Sequence, residues 1–214
     1  MISSPSGGGK STIARHLLEA REDVTYSVSA TTRPIRAGET EGSSYHFLDR
    51  AEFERRIAAD EFVEFAEYGG HLYGTLRSEV EKGLAEGKHV VLDIEVAGAR
   101  QVRAKFPNSV HVFVLPPSAQ VLAQRLRGRN TEDRAAVARR LAIASEELLA
   151  AREYEYVVVN DDVVDAVAHV AAILDGEARK VCRLVNLDLV IENLRRDLAG
   201  QKHQGVDHGN FHPR

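Results

Sequence analysis

Ser4-Pro5-Ser6-Gly7-Gly8-Gly9-Lys10-Ser11-Thr12 decides how the rest of this chain is read. Three successive glycines let the backbone wrap closely enough for consecutive N–H groups to point into one concavity, the geometry of a phosphate cradle. A helical pattern follows, with Ile13, Leu17 and Leu18 on one face. The cradle therefore feeds a helix N-terminus, where free N–H groups and the helix dipole favour negative charge. In such a loop Lys10 reaches the β and γ phosphates of a nucleotide as a point charge, and the Ser11 hydroxyl is placed for Mg²⁺. The strict pattern has glycine where Ser4 stands, and a glycine-rich turn before a helix is the plain alternative. A strand should lead into the loop, yet only Met1-Ile2-Ser3 precede it. A central strand that short forgoes several buried apolar side chains at roughly 1.5–3 kcal/mol each, so the natural chain is expected to start upstream.

Downstream, four apolar runs read as strands: Val24–Ala30, His89–Val96, Val110–Leu115 and Tyr156–Val159. Their β-branched, nearly continuous apolar character suits a parallel sheet covered on both faces. Helical patterns lie between them: Val121, Leu122 and Leu126; Val137, Leu141, Ala144 and Leu148; and a helix from Asp162 through Val167 and Val170 to Leu174. Strands alternating with helices predict an α/β sheet. Residues 33–76 break the rhythm with Pro34, glycines and short aromatic pieces, and read as an inserted lobe. Near the end, Leu184, Leu187, Ile191, Leu194 and Leu198 step by three and four. Two heptads are short of the three or four that define a coiled coil; docking on a globular surface is the first reading and a homodimer seam through this helix the second. Residues 200–214 are polar and expected to be disordered, and His203, His208 and His212 there are not expected to hold a metal.

A chain of 214 residues is one domain, or one domain with an inserted lobe. Apolar residues at 43% and charged residues at 28% exclude a wholly disordered chain. No apolar run approaches the roughly 18–20 residues that cross a bilayer, and no export segment opens the chain. Cys182 is the single cysteine, which excludes an internal disulfide and points to a reducing compartment, the cytoplasm. A net charge of −4 argues against a nucleic-acid binder that works by overall attraction to phosphate. The distribution is uneven: nine acids and three arginines from Glu39 to Glu67, six arginines and two acids from Arg125 to Arg140. Two solvated helical faces would explain this, and so would a site with carboxylates on one side and guanidiniums on the other.

Taken in order, the phosphate loop, Ser29–Arg36, Gly42–Phe47, Glu61–Glu64, Tyr73-Gly74-Thr75, Leu92–Gly98, Leu126–Arg129, Arg140-Leu141 and Val159–Asp162 resemble guanylate kinase over some four-fifths of the chain. The resemblance implies a P-loop NTPase-type parallel sheet flanked by helices, with an inserted nucleotide-monophosphate-binding lobe and a helical lid. Residues 1–32 and 77–175 are then the core, with the lid at about 125–140, residues 33–76 the GMP-binding lobe and residues 176–199 a C-terminal helix. It implies transfer of the γ-phosphoryl group of ATP to GMP, with Mg²⁺, and no nucleic acid or membrane partner.

Residue by residue, the resemblance gives ATP the loop Ser4–Thr12 and Asn160. Arg33 and Arg36 would clamp the GMP phosphate with forked hydrogen bonds, helped by Tyr45 and Tyr73. Glu64 would accept from guanine N1–H and the N2 amino group, with Ser29 and Thr75 in support and Glu95, where the family usually has aspartate, beside it. Ser11 would bind Mg²⁺ and Asp93 would hold a water on it. Lys10, Arg36, Arg129 and Arg140 would stabilise charge in transfer. Ala97 stands where glutamine is common. The alternatives are a phosphate-loop kinase for another phosphorylated small molecule, such as a ribose bisphosphate, and a guanylate-kinase-like binding module without activity.

Overall fold

The computed structural model describes residues 1–127 and 134–200. In chain order the elements are β1 (Ile2–Ser3), α1 (Lys10–Ala20), β2 (Val24–Tyr26), β3 (Ser29–Thr31), β4 (His46–Phe47), α2 (Arg50–Ala58), β5 (Phe62–Tyr68), β6 (His71–Leu76), α3 (Arg77–Ala85), β7 (His89–Val91), α4 (Val96–Lys105), β8 (Val112–Leu115), α5 (Ala119–Arg127), α6 (Arg134–Leu149), β9 (Tyr156–Val159), α7 (Val163–Ala178) and α8 (Leu187–Gly200). The chain divides after Ala171 into two compact units.

In the first unit, β1, β8 and β9 pair in parallel, as do β2 and β7. Ile2 joins the two groups: its N–H donates to Leu92 O at 2.8 Å, its carbonyl accepts from Ile94 N–H at 3.3 Å, and it bridges Asp93 in parallel. The order is thus β2-β7-β1-β8-β9, with the shortest strand in the middle. Met1 extends its pairing: the amino group donates to Val110 O at 2.6 Å and the carbonyl accepts from Val112 N–H at 3.0 Å. Val63, Leu92, Ile94, Ala99 and Val102 form one buried cluster against this sheet. α1 buries Ile13, Ala14 and Leu17. Asp162 caps α7 by accepting from Val164 and Asp165 N–H.

The run Val24–Ala30 is not one strand. Ser27 N–H ends the pairing with β7 by donating to Val91 O at 3.2 Å, and β3 then enters a second sheet of order β4-β3-β6-β5. The lobe's sheet therefore starts at Ser29, ahead of the expected boundary at 33. Ala30, Phe53, Phe62, Leu72 and Leu76 fill its core, with Phe53 and Phe62 stacked at 4.3 Å. The β5–β6 register shifts between Phe62 and Glu64. Such an irregularity re-aims the side chains that follow it; Phe62 and Val63 fall in different clusters, and Glu64 comes next.

In the second unit α7 runs on to Ala178, and the expected helix over 176–199 is replaced by a short 3-10 turn at Val181–Arg183 and then α8. Glu177, buried, binds Lys180 at 2.5 Å and Arg183 at 3.0 Å, which ties the turn. Leu189, Leu194 and Leu198 of α8 are exposed. Among the described residues no helix is long and apolar enough to cross a membrane. Of the expected tail over 200–214, Gly200 ends α8, and His203, His208, His212 and the other residues from 201 on lie outside the described residues.

Candidate active site

Gly7 and Gly9 take φ of 84° and 99°, a left-handed conformation that only glycine adopts cheaply, and they turn the loop into α1. Gly8 N–H closes the turn on Pro5 O at 2.8 Å. Ser4 fits where glycine is usual because its buried hydroxyl folds onto the same carbonyl at 2.9 Å. Residues distant in sequence then brace the loop. Asn160 Nδ2 donates to Gly8 O at 2.9 Å, so this amide is engaged by the loop itself. Arg125 donates to Gly8 O and to Asn160 O at 3.3 and 3.1 Å. From α6, Glu147 accepts from Ser6 N–H at 2.9 Å, and Arg140 lies 3.4 Å from the Ser6 hydroxyl. Burial pushes the Glu147 carboxyl above its usual range, partly offset by the Ser6 N–H.

Lys10, at the first position of α1, meets Glu95 at 2.5 Å and Asp93 at 3.5 Å. Burial alone would lower its pKa, but these two carboxylates outweigh burial and hold it above the ordinary lysine value. Glu95 occupies the N-cap position of α4 without capping it, and its reach to Lys10 differs from the expected place beside guanine. Asp93 Oδ1 is buried without a hydrogen bond. Ser11 is exposed on the first turn of α1.

In the lobe, Arg33 is largely withdrawn from solvent and lies over the rings of Tyr45 and Phe47, at 5.4 and 5.8 Å. Its guanidinium donates to both carboxylate oxygens of Glu39, at 2.7 and 3.0 Å, and to Pro34 O at 2.7 Å. Glu39 also accepts from Arg36 N–H at 2.8 Å, while the Arg36 residue is exposed. Tyr73 packs edge-on to Tyr45 at 6.1 Å. Ser29, Thr75 and Glu64 are register partners across β3, β6 and β5, so they form a row across three strands. The Thr75 hydroxyl donates to Glu64 Oε1 at 2.6 Å. Glu64 is 6% exposed and, among the described residues, has no cation paired with it. Burial raises its pKa, the Thr75 hydrogen bonds work against that, and the Glu95 charge adds to it.

A guanylate kinase family model matches residues 1–177. Guanylate kinase of Symbiobacterium thermophilum is 49% identical over 183 residues, 86% of this chain and 87% of that protein. That of Synechocystis is 49% identical over 177 residues, covering 83% and 92%. The chain belongs to the guanylate kinase family. The crystal structure of guanylate kinase from Anaplasma phagocytophilum matches with a TM-score of 0.72 at 35% identity, over 90% of this chain and 92% of that one.

Against the guanylate kinase resemblance, the structure gathers Arg33, Tyr45 and Tyr73 at one place and Ser29, Thr75 and Glu64 at another, both in the lobe. Lys10, Asp93 and Glu95 meet at the loop. Arg129 lies outside the described residues. Glu39, Glu147 and the bracing role of Arg125 escape a reading of the sequence: each is one charge in a charged stretch, and Glu147 and Arg125 meet partners 141 and 117 positions away.

Proposed function

We propose that this chain transfers the γ-phosphoryl group of ATP to GMP, and to dGMP, forming ADP and GDP. The observation that carries the reading is Glu64, a buried carboxylate held by Thr75 with no cation paired to it among the described residues. Guanine offers two adjacent donors, N1–H and the N2 amino group, to such an acceptor. Adenine would set a lone pair against it, and a site of this kind rejects the wrong base by about 10⁴ or more. Arg33 and Arg36, with the hydroxyls of Tyr45 and Tyr73, bind the acceptor phosphate. The backbone of Ser4–Thr12 and Lys10 bind the donor phosphates. An acceptor phosphate is already ionised at neutral pH, so the chain's task is alignment and charge stabilisation without a general base. Arg140, on α6 beside Ser6, adds a cation next to the loop, and the resemblance gives Arg129 a like charge-stabilising role.

Ser11 and Asp93 fit Mg²⁺: both offer oxygen ligands, and the buried Asp93 Oδ1 has no hydrogen bond, its charge paired only with the Lys10 ammonium 3.5 Å away among the described residues. Ser11 would take the ion directly and Asp93 through a water. Bound with ATP, the ion neutralises charge on the phosphates. The proposed location is the cytoplasm, supported by the lone exposed Cys182. The homodimer seam through α8 is supported by its exposed leucines; a sedimentation mass of one chain at micromolar concentration rejects it.

A coupled assay of ADP release with GMP, dGMP, AMP and UMP tests the activity. GMP and dGMP are expected to turn over with AMP and UMP near background, and preference for another acceptor overturns the reading.

A further inference from the structure

Gly98 is the third residue of α4 and is buried. Its backbone is not in the left-handed region, so nothing in its conformation calls for glycine, and an alanine there would favour the helix. The reason for glycine is the space beside it. A Cβ built on Gly98 would stand 2.5 Å from Glu64 Oε2, 3.0 Å from Glu64 Cδ and 3.4 Å from Glu64 Cγ, and these are the three nearest atoms it would meet. Side-chain bonds resist a retreat of the helix. One turn on, Gln101 grips the residue after Glu64 twice: its Oε1 accepts from Phe65 N–H at 3.2 Å and its Nε2 donates to Phe65 O at 2.7 Å. At the far end of α4, Lys105 donates to Phe62 O at 3.0 Å and to Asp60 at 2.8 Å. α4 and β5 are thus stitched together on both sides of Glu64 along the strand, and the part that yields most easily is the end of the Glu64 side chain.

We infer that Gly98 is a specificity-determining position, whose missing side chain leaves the Glu64 carboxylate the place from which it reads the acceptor base. The inference rests on the proposed role of Glu64. An added methyl displaces Glu64 Oε2 by at least about 0.5 Å, the gap between 2.5 Å and the shortest approach real Cβ atoms show. The fold loses little, because the yielding group is the end of a flexible side chain. Recognition loses more, since positioning errors near 1 Å can cost about 10²-fold.

The test is a double-mutant cycle of Gly98→Ala and Glu64→Ala, read by kcat and KM for GMP and AMP and by melting temperature. Gly98→Ala alone is expected to raise the GMP KM about tenfold, with kcat changed less than about threefold, the AMP parameters unchanged and the melting temperature not lowered. In the Glu64→Ala background, where no carboxylate remains to be displaced, Gly98→Ala is expected to add no further loss. An equal loss in both backgrounds, or none in the first, overturns the inference while the role of Glu64 stands. If Glu64→Ala leaves the preference for GMP over AMP intact, the role of Glu64 fails and the inference with it. A Gly98→Ala protein that melts earlier in the wild-type background and not in the Glu64→Ala background still locates the clash at Glu64; earlier melting in both overturns it.

Discussion

At the proposed donor end Lys10 meets Glu95 at 2.5 Å; at the proposed acceptor end Arg33 meets Glu39 through two hydrogen bonds of 2.7 and 3.0 Å. The Glu95 side chain is 61% exposed and, among the described residues, is bonded to Lys10 alone, whereas Glu39 also fixes the Arg36 amide and its Arg33 partner lies over two rings. An incoming phosphate can displace the first carboxylate by competing with water for a solvent-facing group. It can only add to the second, where a planar guanidinium keeps further donors after its fork to Glu39 is filled. In the proposed roles, Lys10 is an exchangeable cation and Arg33 an architectural one.

The largest test of that contrast removes the donor cation. Lys10→Ala is expected to lower turnover about 10³-fold while GMP binding, measured by calorimetry, stays within about twofold. Next in size is a difference in acid sensitivity between sheet and lobe. His111, buried just before β8, is pushed down to about 4 by burial and by the nearby Arg103 charge, against the pull of Glu155. A depressed base is neutral when folded, so its stabilisation is complete above pH 6.5 and is lost as pH falls from 6.5 toward about 4. The loss is up to roughly 3 kcal/mol, read by urea unfolding, and His111→Gln should flatten the slope in that window. Glu39→Ala should raise the GMP KM about tenfold with kcat and the ATP KM little changed, because it frees the Arg33 fork without touching the loop. The smallest effect belongs to Glu95→Gln. Without that charge the Lys10 pKa falls, and a less occupied ammonium should lower the ATP KM about threefold; a rise in the GMP KM would place Glu95 with the base instead.

The loop was legible because its torsions admit little but glycine, and the family because its blocks run in one order. The sheet was legible wherever apolar runs end at a turn, as at Val112–Leu115 and Tyr156–Val159. Val24–Ala30 misled because its alternation continues through Ser27, although the hydrogen bonds change sheets there. The helix expected over 176–199 misled because the three-and-four spacing of leucines is blind to the Glu177 ion pairs that tie a turn inside it. Glu39 sits among nine acids in a 29-residue stretch, where composition alone reads as a wetted surface. The partner of Gly98 lies 34 positions earlier, and no local rule connects a helical glycine with a strand carboxylate.

The bond from Glu147 to the Ser6 amide links α6 to the floor of the nucleotide cradle, with Arg140 of the same helix touching the same residue. Any displacement of α6 relative to the loop must stretch or break this 2.9 Å bond. An isotope or fluorescent label on α6 should then report nucleotide occupancy from outside the site.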